Sequence, residues 1–252
     1  MSNIYLFDVD GTLTVAKQKI DPVFKKQFLD WMENKEVYIV SGGTFERILG
    51  QVGVDVIDKT SGVFACMGNV FLQKPELASK TGFNEWELIY ENKFVSPKNL
   101  TRRLDAIVTK SEFSIKTGRH HEERVGMVNF SIVGRNANQE QRKEYELWDS
   151  EREERKEIVS KLKQKYKTLD FVIGGAVSID IFNRGNDKSQ IINKYFKEAL
   201  EHSQIHFVGD RIPFPGNDYP LAEKLKEHPN GAAYEVDSWK DTAELLKTEP
   251  FA

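Results

Sequence analysis

Two aspartates, Asp8 and Asp10, stand one residue apart directly after the apolar run at residues 4–7. Past a strand end, a turn at Gly11 can bring both carboxylates toward one crevice. Carboxylates close together in low dielectric repel each other and need a proton, a cation or a basic neighbour. Mg²⁺ takes hard oxygen ligands and is the natural candidate. Asp210 follows a second apolar run, at 205–208, and supplies a third carboxylate; Lys188 offers an ammonium for the remaining charge. Each aspartate alone could cap a turn or a helix. Together, each tied to a strand end, they read as one site.

Such a site requires strands whose carboxyl ends converge. Apolar runs at 4–7, 37–40 and 205–208 lead into Asp8, Ser41 and Gly209-Asp210, and a weaker run at 54–57 leads into Asp58. Helical patterns lie between them at 22–34 and 45–52. Short apolar strands alternating with helices predict a parallel α/β sheet covered on both faces. The ligand crevice of such a sheet lies beyond the carboxyl ends of its strands. From about residue 83 to 183 the pattern changes, with strand-like runs at 113–116, 127–133 and 171–182 and helical stretches at 98–110 and 151–166. An antiparallel sheet with helices on one face fits this block. The expected division is an α/β domain of 1–82 and 186–252 with an inserted block of 83–185.

The bulk numbers narrow the function classes. The chain has 252 residues, 39% hydrophobic, with a formal net charge of -3. A nucleic-acid partner is not expected without a basic excess. No run approaches the roughly 18 apolar residues of a membrane helix. The single cysteine, Cys66, excludes an internal disulfide framework, favours a reducing compartment and reads as a small buried apolar residue. The start of the chain enters a strand with no basic leader, so a cytoplasmic protein is expected. The charged run SEREERKE reads as a solvated helix face. His120 and His121 read as exposed polar residues, since no partner spacing supports a zinc site.

Asp8-Val9-Asp10-Gly11-Thr12 resembles the first motif of the haloacid dehalogenase-type phosphotransferases. Ser41 resembles their second motif, Lys188 the third, and Gly209-Asp210 with Gly216-Asn217-Asp218 the fourth. The resemblance implies that Asp8 is the nucleophile and carries an aspartyl-phosphate, and that Asp10 is the general acid/base. It implies Mg²⁺ held by Asp8, by Asp10 through its backbone carbonyl, and by Asp210, with Asp218 supporting the metal shell. Ser41, with Gly42 beside it, and Lys188 would hold phosphoryl oxygens.

The middle block is similar to the eukaryotic-type phosphomannomutases. The strings are Arg124-Val-Gly-Met-Val-Asn, Ile132-Val-Gly-Arg135, Gln141-Arg142 and Gly174-Gly-Ala-Val-Ser178-Ile-Asp180-Ile-Phe182. The likeness runs from Phe7 to about Tyr219 and implies a Rossmann-like, haloacid dehalogenase-like core with an inserted α/β cap. Arg124, Arg135 and Arg142 would hold the phosphate that is not reacting, and Ser178 and Asp180 the sugar hydroxyls. Guanidinium forks suit phosphate oxygens. The implied activity interconverts mannose 6-phosphate and mannose 1-phosphate with a hexose 1,6-bisphosphate as activator, feeding GDP-mannose synthesis. The implied assembly is a homodimer through the cap.

The chain departs from the family pattern at three places. Lys17 stands where an arginine is usual, and binds phosphate without a bidentate fork. Cys66-Met67-Gly68-Asn69 replaces a Glu-Asn-Gly string. The residues after Asp218 lack the acid for a second, structural cation, and none is expected. The alternative activity is a Mg²⁺-dependent sugar-phosphate phosphatase, which would use the same Asp8, Asp10 and Asp210. The intact acid and lysine set argues against a non-catalytic scaffold. A nucleotide-sugar transferase would show two spaced acids but not Gly11-Thr12, Lys188 and Gly209-Asp210 with them.

Overall fold

The computed structural model describes residues 2–74 and 86–252. Strands β1 (Ser2–Phe7), β2 (Glu36–Val40), β3 (Gly62–Ala65), β4 (Val70–Gln73), β5 (Glu87–Glu91), β6 (His121–Arg124), β7 (Met127–Phe130), β8 (Leu169–Gly174), β9 (Ser178–Asn183), β10 (Ser203–Gly209) and β11 (Gly231–Glu235) form two sheets. The larger has the order β11-β10-β1-β2-β3-β4-β5, the smaller β6-β7-β9-β8. From β11 to β3 the pairing is parallel, while β4 and β5 add antiparallel. Every pairing in the smaller sheet is antiparallel.

Alternation along the central strands sorts side chains onto the two faces of the larger sheet. Tyr5, Phe7, Val37, Ile39 and Val208 pack on one face with α1 (Pro22–Trp31) and α2 (Phe45–Val52). Ile4, Leu6, Tyr38, Val40 and Phe207 pack on the other, with Ile191, Phe196 and Leu225. Asp21 caps α1 by accepting from the N–H groups of Val23 and Phe24, and Pro22 starts the helix. Thr44 caps α2 by accepting from the N–H of Arg47.

The smaller sheet has its own core, in which Phe130, Phe171, Ile179 and Ile181 meet Leu104 of α4 (Leu100–Lys110) and Ile158 and Leu162 of a later helix. Among the described residues, no helix is long and apolar enough to cross a membrane.

Four expectations need correction. Residues 54–57 are not a strand but part of α3 (Val54–Lys59), which follows α2 after Gly53 at φ 90. A short apolar run does not by itself distinguish the two states. Residues 113–116 carry no strand; Phe113 is instead buried against the rings of Tyr145 and Trp148. The run 171–182 is a hairpin, β8 turning into β9. Residues 87–91, assigned to the inserted block, pair with β4 and extend the larger sheet. The expected 82/83 boundary lies outside the described residues.

The helix expected at 151–166 spans Glu154–Lys165 (α6), and a helix before it, α5 (Gln139–Arg152), escaped the sequence pattern. Its buried residues are Arg142, Tyr145 and Asp149, so its inward stripe is largely charged and carries little apolar periodicity. The signal it did carry was local. Asn138 and Gln141 form a reciprocal capping box.

Candidate active site

Asp8 and Asp210 leave neighbouring parallel strands. The Asp8 N–H donates to Val208 O at 3.0 Å, which carries the β1–β10 ladder to the edge of the crevice. One oxygen each of Asp8, Asp210 and Asp218 can lie within 4.8 Å of the others. Lys188, fully buried, donates to Asp8 Oδ1 at 2.6 Å and to Asp218 Oδ1 at 2.5 Å. Burial pushes the Asp8 carboxyl up to about 7 against the pull of Lys188, with Asp218 and Asp10 adding repulsion. Burial and the charges of Asp8 and Asp218 likewise push Asp210 well above the usual carboxylate range. One ammonium therefore does not balance this cluster. Hard oxygen donors, buried and under-compensated, fit a divalent cation.

Gly11 keeps this cluster open. Its φ is +92, and a Cβ there would lie 2.3 Å from Asp210 Oδ2. Gly11→Ala is expected to displace Asp210 and to cost about 1–3 kcal/mol in backbone strain. Mg²⁺ titration of the variant, followed by thermal melting, checks this; an unchanged cation midpoint would remove Gly11 from the site.

Asp10 faces different partners. Its Oδ2 accepts from Arg47 Nη2 at 2.6 Å, and its Oδ1 accepts from Gln51 Nε2 and from the Lys17 N–H, both at 2.8 Å. Burial works to raise its pKa, but Arg47, the Lys17 N–H and Gln51 together hold it below the usual carboxylate range. Its side chain is not part of the Asp8–Asp210–Asp218 group. Sequence reasoning missed Arg47 and Gln51. The available signal was their i, i+4 spacing on the helix that follows Ser41-Gly42-Gly43.

A cavity of about 310 Å³ lies between the two sheets. Asp8, Asp10, Lys17, Ser41, Gly42, Arg124, Arg135, Arg142, Ser178, Asp180 and Asp210 all line it, while Lys188 and Asp218 lie buried below. The Ser41 loop is held from behind: Met67 donates to Ser41 O at 2.9 Å and Cys66 to Gly43 O at 2.8 Å. Both donors sit in left-handed backbone, at φ 64 and 50. The Cys66 side chain is buried, and burial pushes its thiol up to about 11.

The smaller unit supplies the opposite wall. Glu122 Oε2 lies 2.6 Å from Arg124 Nη2 and 2.7 Å from Arg135 Nη2, holding the two guanidinium groups together. Arg124 Nη1 also donates across the cavity to Gly42 O at 2.5 Å. Arg135 donates to Asn129, and Asn129 Nδ2 donates to Asp180 Oδ1 at 2.6 Å. Glu122 and Asn129 were not singled out by the sequence. Arg142 Nη1 is buried and finds no hydrogen-bond partner among the described residues. Burial and the charges of Arg142, Arg135 and Arg47 push the Lys17 ammonium down to about 7. Cations crowd this end of the cavity, as a socket for an anion requires. Glu146 of α5 meets Arg211, which also lies 3.3 Å from Asp210 Oδ2.

The fold belongs to a known class. The solved structure of a haloacid dehalogenase-like hydrolase from Bacteroides thetaiotaomicron superposes with a TM-score of 0.54 at 13% identity, covering 98% of this chain and 99% of that one. A truncated IMP-nucleotidase from Plasmodium falciparum gives a TM-score of 0.61 at 15% identity, covering 100% and 71%. The architecture is thus the haloacid dehalogenase-like α/β fold.

A model of the eukaryotic phosphomannomutases matches residues 24–249. The phosphomannomutase of Dendrobium officinale is 36% identical over 246 residues, 97% of this chain and 92% of that protein. That of Saccharomyces cerevisiae is 32% identical over 251 residues, 98% and 94% of the two chains. The chain belongs to the eukaryotic phosphomannomutase family, and the resemblance read from its motifs is borne out.

Proposed function

We propose that this chain is a phosphomannomutase that interconverts mannose 6-phosphate and mannose 1-phosphate through phospho-Asp8, with a hexose 1,6-bisphosphate as activator. One observation carries the reading: a buried acidic cluster and a cationic socket face each other across a single cavity. A substrate with a phosphate at either end can present one to Asp8 while the other is held by the arginines. The smaller unit acts as the cap over a core made of the larger sheet, with the first boundary after β5.

In the first half-reaction an Asp8 carboxylate oxygen forms a bond to phosphorus as the bond from phosphorus to the sugar oxygen breaks. The electron pair stays on the sugar oxygen, which takes a proton from Asp10. In the second half Asp10 takes the proton of the accepting hydroxyl as the phosphoryl group leaves Asp8. Lys188 holds Asp8 in place, and Ser41 and the N–H groups of its loop hold phosphoryl oxygens. Mg²⁺ bound by Asp8, Asp210 and Asp218, with the Asp10 backbone carbonyl, would offset charge on the transferring group. Arg124, Arg135, Arg142 and Lys17 hold the distal phosphate, and Ser178 and Asp180 the sugar hydroxyls.

The product feeds GDP-mannose synthesis, and a reducing cytoplasm suits the lone buried thiol. A homodimer through the cap completes the proposal, with the edge of β6, unpaired among the described residues, as one surface for it.

The protein is incubated with Mg²⁺, mannose 1-phosphate and a trace of bisphosphate, and both mannose 6-phosphate and free phosphate are assayed. Conversion to the 6-phosphate that depends on bisphosphate is expected. Bisphosphate-independent release of free phosphate, with no 6-phosphate, would replace the mutase by a phosphatase.

A further inference from the structure

Arg47 and Gln51 lie outside the motifs that carry the family resemblance, yet they engage one of the two central aspartates. Arg47 Nη2 reaches Asp10 Oδ2 at 2.6 Å, and its Nε donates to Gln51 Oε1 at 3.2 Å. Gln51 Nε2 in turn donates to Asp10 Oδ1 at 2.8 Å and to Thr14 Oγ1 at 3.0 Å. With the Lys17 N–H also on Oδ1 at 2.8 Å, both Asp10 oxygens are engaged by groups outside the Asp8–Asp210–Asp218 cluster. A general acid/base must come within hydrogen-bond reach of the proton it moves. So held, Asp10 is at rest. Arg47 is also a wall of the cavity, together with Lys17 and Arg142. Arg142 Nη1 there has no hydrogen-bond partner among the described residues. A phosphate dianion entering this corner offers Arg47 more charge and more acceptor oxygens than one carboxylate does.

We propose that Arg47 is a positioning residue that changes partners: with Gln51 it parks Asp10 until a second phosphate, bound beside Lys17 and Arg142, takes its guanidinium and releases Asp10 toward the phosphoryl group on Asp8. The proposal rests on the mutase reading above and deepens it. It explains how one site transfers to sugars and spares its phospho-enzyme from water. Water brings no second phosphate, so Asp10 stays parked and does not activate it. A sugar phosphate brings its own release signal.

Two rates on the full-length protein with Mg²⁺ test this. One is hydrolysis of para-nitrophenyl phosphate, a donor with no second anion. The other is conversion of mannose 1-phosphate to mannose 6-phosphate in the presence of bisphosphate. Arg47→Ala is expected to raise the first several-fold and to lower the second by about tenfold or more, since the released acid is no longer timed by the substrate. Arg47→Lys, which keeps the charge without the fork, should fall between. Gln51→Met removes one of the holds on Asp10 at nearly constant volume, and should shift the ratio of the two rates in the same direction. It carries the test if Arg47→Ala does not fold by thermal melting. Opposite movement of the two rates supports the exchange of partners. A parallel fall, as a merely structural role would give, or no change in their ratio, overturns it. Failure of the mutase reading looks different: mannose 1-phosphate would then give free phosphate and no 6-phosphate without need of bisphosphate, whatever Arg47 does.

Discussion

Asp8→Asn is expected to lower phosphoryl transfer by about 10⁴-fold or more while leaving the fold intact. Asparagine has the shape of aspartate and can keep contact with Lys188, but its amide is not a nucleophile toward phosphorus. The effect on stability runs the other way. In the metal-free protein Asp8 holds its proton up to about 7, whereas the unfolded chain releases it near 3.8. Between those values the folded state binds the extra proton, so this carboxylate lowers stability as pH rises through the interval. Asparagine removes that contribution. With a chelator present, the melting temperature of the variant should equal or exceed that of the native protein at pH 7 and fall less steeply between pH 4 and 7. Asp210, raised for the same reasons, leaves part of the slope. Measurable bisphosphate-dependent turnover by Asp8→Asn would remove Asp8 as the nucleophile.

Lys188→Met is expected to destabilise as well as inactivate. The ammonium is fully buried and is the shared partner of Asp8 and Asp218. The two carboxylates raise its pKa against the burial that would lower it, so its contribution is fully present at neutral pH. Methionine fills the volume but leaves the acids without their cation. Removing one partner of a buried pair costs about 3–5 kcal/mol, and a chain of this size loses about 2–4 °C per kcal/mol. A drop on the order of 10 °C in melting temperature should follow. The double variant Lys188→Met with Asp218→Asn should recover much of that loss and none of the activity, because it removes the stranded charge without restoring the site. A single variant that melts like the native protein would show that the cluster is solvated rather than buried.

The legible half of this molecule is where chemistry and periodicity coincide. Asp8, Ser41 and Asp210 follow apolar strands, so the runs that predicted the parallel sheet also predicted where its crevice would open. Lys188 could be tied to the same site only as an ammonium for surplus charge, and Asp218 only through its resemblance to a later motif. The illegible half is where side chains do the opposite of what their type suggests. Arg142 and Asp149 face inward from α5, so an apolar pattern could not reveal that helix. Arg47 and Gln51 read as the polar side of a surface helix, yet they converge on Asp10 from elsewhere in the chain. Glu122, one of two acids in a polar edge strand, gathers Arg124, two residues on in the same strand, and Arg135 from the loop after β7. Such partners are fixed by tertiary placement, which local pattern does not encode.

The charged stripe of α5 has a metric consequence. Arg142 reaches the cationic socket, Glu146 the arginine beside Asp210, and Asp149 the Arg155 guanidinium that donates to Gly175 O in the hairpin turn before Ser178. These residues are three and four apart, one above another along the helix, with about 1.5 Å of rise for each residue between them. The helix is therefore a ruler along one wall of the site, running from the cationic socket past the arginine beside Asp210 to the hairpin turn. Its graduations set how far the socket stands from the acidic cluster. Inserting a single residue between Arg142 and Asp149 would turn the later marks by about 100° and break their register with Arg211 and the hairpin turn.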